Sequence, residues 1–293
     1  MIIVKLMGGL GNQMFQYAAG RSLALRRGTS LKLDLSFLEG YQANHTRRSF
    51  ELERLDIRAE KATPGELAAV ERGEPSSLFQ RTLGAFFKRR AGMKLFLEKQ
   101  FNVNPEFFEL PDQVYLEGFW QSEGYFKDYG DIIRREFTPS TAPVGKNLEL
   151  MDEIRSVNAV SLHIRRGDYV TDPAIRAAHH VCELDYYQKG AEVMASSLQA
   201  PHFFVFSDDS DWVAANLKLQ HPTTFVSHNQ GRGYEDLRLM SLCRHHIIAN
   251  SSFSWWGAWL NPSPDKIVCA PGRWFNEMPA NTCDLIPQGW RKI

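Results

Sequence analysis

Residues 158–170 read NAVSLHIRRGDYV, and the fold turns on how they are read. The stretch 158–164 is a short, mostly apolar run, which suits a strand covered on both faces. Its exit carries His163, Arg165, Arg166 and Asp168. Alternation puts His163 and Arg165 on one face, with Arg166 opposite or at the turn. In an open parallel sheet, ligands bind beyond the carboxyl ends of the strands. A guanidinium offers fixed, always-charged, bidentate donors, so two arginines there suit a diphosphate. Asp168 is placed to hold one of these arginines; the alternative is a structural Arg–Asp cluster at a domain edge.

Working outward, the downstream chain alternates. Strands are expected at 202–206, 223–226, 246–249 and 266–269, and helices at 183–198, 210–217, 234–243 and 253–260. Apolar strands alternating with helices specify a parallel, doubly wound sheet. Upstream, 2–7 reads as a strand, Gly8-Gly9-Leu10-Gly11-Asn12 as a tight turn, and 13–27 as a helix with Met14, Tyr17, Ala18, Arg21 and Leu25 at helical spacing. A second strand at 31–34 completes a βαβ unit. A strand is expected at 114–119 and a helix at 122–135. Residues 138–147, TPSTAPVGKN, are rich in breakers and read as a linker between two α/β domains, 1–140 and 141–293.

Composition narrows the function. The 293 residues carry 34 basic and 34 acidic side chains, a net charge of zero, which gives no support to nucleic-acid binding through overall charge. Hydrophobic residues at 43% exclude charged, apolar-poor disorder. Cys182, Cys243, Cys269 and Cys283 form no CxxC and read as reduced thiols, as in a cytosolic protein. The opening MIIVKLMGGLGNQ lacks a signal-peptide apolar core, and no run is long enough to span a membrane. A cytoplasmic location is expected.

Three further segments are candidates for chemistry. The turn at Gly8–Asn12 lets backbone N–H groups approach an anion at a helix start, but it is neither GxGxxG nor a P-loop, and a plain tight turn explains it equally. Ser207, Asp208 and Asp209 stand at a strand exit, where guanine recognition, metal binding and helix capping all remain open. Asn250, Ser251 and Ser252 lead from a strand into the aromatic helix beginning near Phe253, the pattern of an anion or ribose site. Three candidates at strand ends of one sheet converge on a nucleotide with a diphosphate. No HExxH, clustered cysteine or GxSxG motif is present.

With these segments in view, the chain resembles the bacterial α-1,2-fucosyltransferases of glycosyltransferase family 11. The resemblance rests on GGLGNQMFQYAAGRSLA at 8–24, GFWQSEGYF at 118–126, HIRRGDYV at 163–170, FVFSDD at 204–209, EDLRLMSLCRHHIIANSSFSWWGAWL at 235–260 and KIVCAPGRW at 266–274. It implies a GT-B arrangement of two Rossmann-like domains facing across a cleft, with 1–140 on the acceptor side and 141–293 binding GDP-fucose. The implied reaction is inverting transfer of L-fucose from GDP-β-L-fucose to O2 of a terminal galactose, without metal or other cofactor, in building surface glycans. Arg165 is then the β-phosphate ligand, His163 lines the guanosine side, Asp208 or Asp209 meets guanine, and Asn250, Ser251 and Ser252 meet phosphate or ribose. Gly9, Gly11 and Asn12 would close on the donor from the first domain.

The residues name no general base. Asp34, at the end of the second strand, and Glu117 are candidates by position, each with a structural alternative. Another linkage, another GDP-hexose donor, or an inactive nucleotide-sugar or glycan binder are the competing readings. Residues 78–94, LFQRTLGAFFKRRAGMK, combine Phe86 and Phe87 with Lys88, Arg89 and Arg90, which suits either packing on the first domain or peripheral contact with an anionic membrane.

Overall fold

In the computed structural model, which describes residues 1–40, 47–70, 92–276 and 282–293, Ile2–Lys5 forms β1 with Ile2, Ile3 and Val4 fully buried. Leu10–Arg27 is helix α1 and Leu31–Asp34 is β2. Gly20 lets α1 lie close on the sheet: a Cβ there would stand 2.9 Å from Leu31 Cδ1 and 3.3 Å from Val4. The helix ends at Gly28 with φ 61°, a left-handed conformation that glycine adopts without strain. Then come α2 (Ser36–Glu39), β3 (Glu60–Lys61), α3 (Pro64–Ala68), β4 (Lys94–Leu97), β5 (Val114–Glu117) and α4 (Gly130–Glu136). All pairings are parallel, in the order β3-β2-β1-β5-β4. The helix expected over 122–135 shortens to α4, because Ser122 caps a separate 3-10 turn at Glu123–Tyr125 and another follows at Lys127–Tyr129.

The second sheet is built from α5 (Lys146–Ser156), β6 (Asn158–Ile164), α6 (Gly167–Thr171), α7 (Pro173–Ala178), α8 (Leu184–Ser197), β7 (Pro201–Ser207), α9 (Ser210–Asn216), β8 (Thr223–Val226), α10 (Gly233–Leu242), β9 (His245–Ile247), α11 (Ser252–Leu260), β10 (Val268–Ala270) and β11 (Arg291–Lys292). Its order is β11-β10-β9-β6-β7-β8, again all parallel. Strand β6 matches the expected bounds, and everything in it after Asn158 is buried. Val160, Leu162 and Ile164 join Phe203 and Val205 in a core on one face, while Ala159 joins Phe204 and Phe206 on the other. Both faces are covered, which is why the strand reads as a continuous apolar run rather than an alternating one.

By its contacts the chain divides into two units, Met1–Glu51 with Ile57–Ile133, and Leu52–Asp56 with Arg134–Ile293. The boundary expected at 140/141 therefore moves. Residues 138–147 do not act as a free linker: Asp56 N–H donates to Thr138 O at 3.1 Å, and Ser140 N–H to Arg54 O at 2.9 Å. Leu52 and Leu55 are buried, Phe137 meets Trp256 edge-on at 5.0 Å, and Arg134 lies over the Trp259 ring at 4.3 Å. These contacts draw both stretches into the second unit. Among the described residues no helix is long and apolar enough to cross a membrane. Of the segment 78–94, residues 78–91 lie outside those described.

Candidate active site

The register between β6 and β7 pairs Ile164 with Ser207, so the residues after each strand emerge side by side. Arg165 is clamped there. Its Nη1 lies 2.6 Å from Asp208 Oδ2, and its Nη2 lies 2.5 Å from Asp168 Oδ1. A guanidinium has five N–H donors, so these two contacts fix the group and leave donors to spare. Gly167 makes room for the clamp: a Cβ there would stand 2.4 Å from Asp208 Oδ2. The Arg165 guanidinium also sits 5.3 Å from the Tyr169 ring centroid, and Tyr169 is anchored through its hydroxyl to Asn250 O at 3.1 Å.

Arg166 is held differently. Its backbone N–H donates to Asp208 Oδ1 at 2.8 Å, its Nε lies 3.2 Å from Asp209 Oδ2, and its guanidinium stacks 3.5 Å above the Trp212 ring. Asp168 therefore pairs with Arg165, and Arg166 takes Asp209 and the indole. Trp212 was not singled out in the sequence, where it reads only as an aromatic in a short helix.

His163 is buried against Phe253, with ring centroids 5.4 Å apart, and its Nδ1 has no hydrogen-bond partner among the described residues. Burial pushes its pKa down to about 4; the Arg165 charge adds to this and the Asp208 charge opposes it. The imidazole is thus neutral at neutral pH, with one nitrogen waiting for a partner. Ser251 stands at the start of α11 without a side-chain cap, which leaves first-turn N–H groups open.

Asn250 departs from expectation. It is fully buried, and its amide is consumed by scaffold: Nδ2 donates to His180 O at 2.5 Å and to Trp274 O at 2.8 Å, and Oδ1 accepts from Cys182 Sγ at 3.5 Å. It ties two loops to the end of the sheet instead of presenting itself to a ligand.

The glycine turn of the first unit also holds the chain to itself. Asn12 Oδ1 accepts from Gln121 Nε2 at 2.9 Å. Gln13, fully buried, donates to Gly8 O at 2.9 Å and Ser49 O at 2.8 Å and accepts from Glu51 N–H at 3.0 Å. Gln16 bridges Met7 N–H and Gly118 O. The anion at the start of α1 is the protein's own: the Glu51 carboxylate accepts from Leu10 N–H, with burial raising its pKa against the nearby Arg48 charge. The guanidinium of Arg48 lies 3.7 Å from where a Gly9 Cβ would stand, and Gly11 is buried in the first turn. Gly9, Gly11 and Asn12 accordingly shape a turn already supplied with its anion.

Asp34 is buried and accepts from Tyr115 Oη at 2.5 Å and Ser36 N–H at 2.8 Å. It serves as a tether at the end of β2. Glu117 is paired with Lys5 at 2.7 Å. Among the described residues no cluster of three or more His, Cys, Asp or Glu could hold a metal ion.

The model of glycosyl transferase family 11 matches residues 96–291. The chain belongs to that family. Two relatives from Escherichia coli run nearly its full length. An alpha-1,2-colitosyltransferase is 36% identical, covering 100% of this chain and 98% of its own. The O-antigen biosynthesis glycosyltransferase WbnK is 34% identical over 92% and 93%. Human galactoside alpha-(1,2)-fucosyltransferase 1 is 27% identical over 54% of this chain and 46% of its own. Among solved structures, the family 11 chain is similar to Arabidopsis thaliana FUT1 in complex with GDP, with a TM-score of 0.50 at 10% identity, over 91% of this chain and 69% of that one. At that identity the likeness speaks to fold alone, and the fold is of the GT-B type, with two parallel-sheet α/β units.

Proposed function

We propose that this glycosyltransferase moves L-fucose from GDP-β-L-fucose to O2 of a terminal galactose, with inversion and without a metal. The observation that carries the reading is Arg165, fixed between Asp168 and Asp208 at the central strand's end with N–H donors to spare, beside the unpartnered Nδ1 of His163. As the sugar–phosphate bond breaks, charge builds on the β-phosphate oxygen. Arg165 and the open N–H groups at the start of α11 are aimed donors whose contacts strengthen in the transition state. Neutral His163 takes a hydrogen bond on the nucleoside side without adding charge. Of the two carboxylates at the β7 exit, Asp209 is the better guanine contact, since Asp208 is committed to Arg165 and to the Arg166 N–H. The second unit binds donor and the first binds acceptor. We assign no general base: Asp34 and Glu117 are committed within the first unit, so the acceptor hydroxyl loses its proton late, as GDP departs.

A second reading has its own support. The colitosyltransferase is both more similar and more fully aligned than the fucosyltransferases, which favours colitose as the transferred sugar. Both are tested by supplying GDP-fucose or GDP-colitose with lactose and determining the product linkage by NMR. An α-1,2-fucosylated product supports the first reading, and transfer from GDP-colitose alone replaces it with the second. Release of GDP without transfer to galactose removes both as written.

A further inference from the structure

Strand β1 pairs in parallel with β5, so the loops leaving their carboxyl ends emerge side by side. Ligands of parallel sheets bind in the crevice outside the carboxyl ends of the strands. Two loops meet there. Gln16 Nε2 donates to Gly118 O at 3.2 Å, and Gln121 Nε2 donates to Asn12 Oδ1 at 2.9 Å. The turn after β5 is strained. Trp120 has φ 56°, a left-handed conformation uncommon outside glycine, yet it is fully buried against Phe96, Phe107 and Tyr125. Glu98 enforces the turn by accepting from Phe119 N–H at 2.6 Å and Trp120 N–H at 3.0 Å. Gly118 is required beside it, since a Cβ there would stand 2.3 Å from Glu98 Cβ. What this strain achieves is to send Trp120 inward and leave Phe119 outward, 37% exposed. Strained backbone of this kind persists where its surroundings over-determine it, and it clusters at ligand-binding sites.

We infer that Phe119, on the same turn as the Gln121 amide that pairs with Asn12, is the platform on which a neutral sugar ring of the acceptor glycan stacks; this rests on the glycosyl-transfer reading above. A flat aromatic face matches the C–H face of a pyranose, and amides both donate to and accept from hydroxyls. The bordering charges are already satisfied, Lys5 by Glu117 and Glu98 by two backbone N–H groups, so the crevice suits a neutral ligand rather than a nucleotide.

The test uses the whole chain, lactose as the acceptor probe and GDP as the donor probe. Wild type shows saturation transfer from protein to the lactose C–H protons. Phe119→Ala loses most of that signal and raises the acceptor KM at least tenfold with kcat within threefold, while GDP affinity by calorimetry stays within twofold. Phe119→Tyr restores the acceptor KM, and Phe225→Ala, an exposed aromatic on β8, leaves it unchanged. An unchanged KM and lactose signal in Phe119→Ala, or no lactose signal in wild type, overturns the platform. Failure of wild type to bind GDP overturns the donor reading separately.

Discussion

Arg165 Nη1 sits 2.6 Å from Asp208 Oδ2, joining the exits of the paired strands β6 and β7. A partly buried arginine shared by two carboxylates is held in one orientation before any ligand arrives. Orientation of this kind lets a charge act on a transition state without being reorganised at the moment of reaction.

Arg165→Ala should lower kcat by roughly 10²–10³, the scale of a lost transition-state donor. It should also lower the melting temperature by a few degrees, because Asp168 and Asp208 then face each other without their shared cation. Steady-state kinetics and thermal melts check both. A variant within tenfold of wild-type kcat would remove Arg165 from the phosphate site.

Asp208→Asn and Asp209→Asn should separate. The first releases Arg165 and should cost at least tenfold in kcat with little change in the preference for GDP over ADP. The second should leave kcat nearly intact and weaken that preference several-fold. Calorimetry with both diphosphates decides, and equal loss of preference in the two variants would merge the roles assigned to them.

Activity should persist in EDTA. In the proposed reaction, charge on the departing diphosphate is met by guanidinium and helix-terminal N–H groups, and no acidic triad stands among the described residues. Loss of transfer on chelation, restored by Mg²⁺ or Mn²⁺, would turn Asp208 and Asp209 into metal ligands.

His163 and Asp236 contribute opposed components to the pH profile of stability. An unfolded histidine takes up a proton near pH 6.5, whereas folded His163 refuses it down to about 4, so its contribution is full above 6.5 and is lost as pH falls toward 4. Burial raises the Asp236 pKa from 3.8 to about 6, against the hydrogen bond from Asn229 and the Arg232 charge, so stability from this group is full below 3.8 and is lost as pH rises through 6. His163→Gln should flatten the decline in melting temperature between pH 6.5 and 4. Asp236→Asn should stabilise at pH 7.5 and have little effect at pH 3.5. Melting curves parallel to wild type across pH would refute either assignment.

Gln13→Ala should destabilise the first unit by about 3 kcal/mol, because it strands the Gly8 and Ser49 carbonyls and the Glu51 N–H in a buried place. Urea unfolding measures it. A loss under 1 kcal/mol would mean that water replaces the amide.

The second sheet was legible chiefly where its strands are buried on both faces, as β6 and β7 are; β11, two exposed residues, left no signal. The apolar run at 158–164 could sit nowhere else, and the expected strand coincides with β6. The first unit's β3 and β4 were missed: they are short, with exposed residues among them, and leave no pattern to find. At the site, residue type and strand end pointed to Arg165, Asp208 and His163, which the fold brings together. Asn250 shows why the sequence goes no further: an amide in a loop looks the same whether it serves a ligand or an orphaned backbone group, and only the fold reveals which carbonyls needed donors. Glu51 and Glu98 were invisible for the complementary reason, since their partners are main-chain N–H groups contributed by distant turns.

Leu52–Asp56 belongs to the second unit although it lies within the sequence of the first, so the chain passes between units three times. Neither unit is a continuous stretch of gene. A chimera made by cutting once near residue 140, to join one relative's first unit to another's second, would strip Leu52 and Leu55 from the core to which they belong and leave residues 138–140 without their partner segment. Exchange of one unit between relatives must keep the short insert with the second unit, using three breakpoints in place of one.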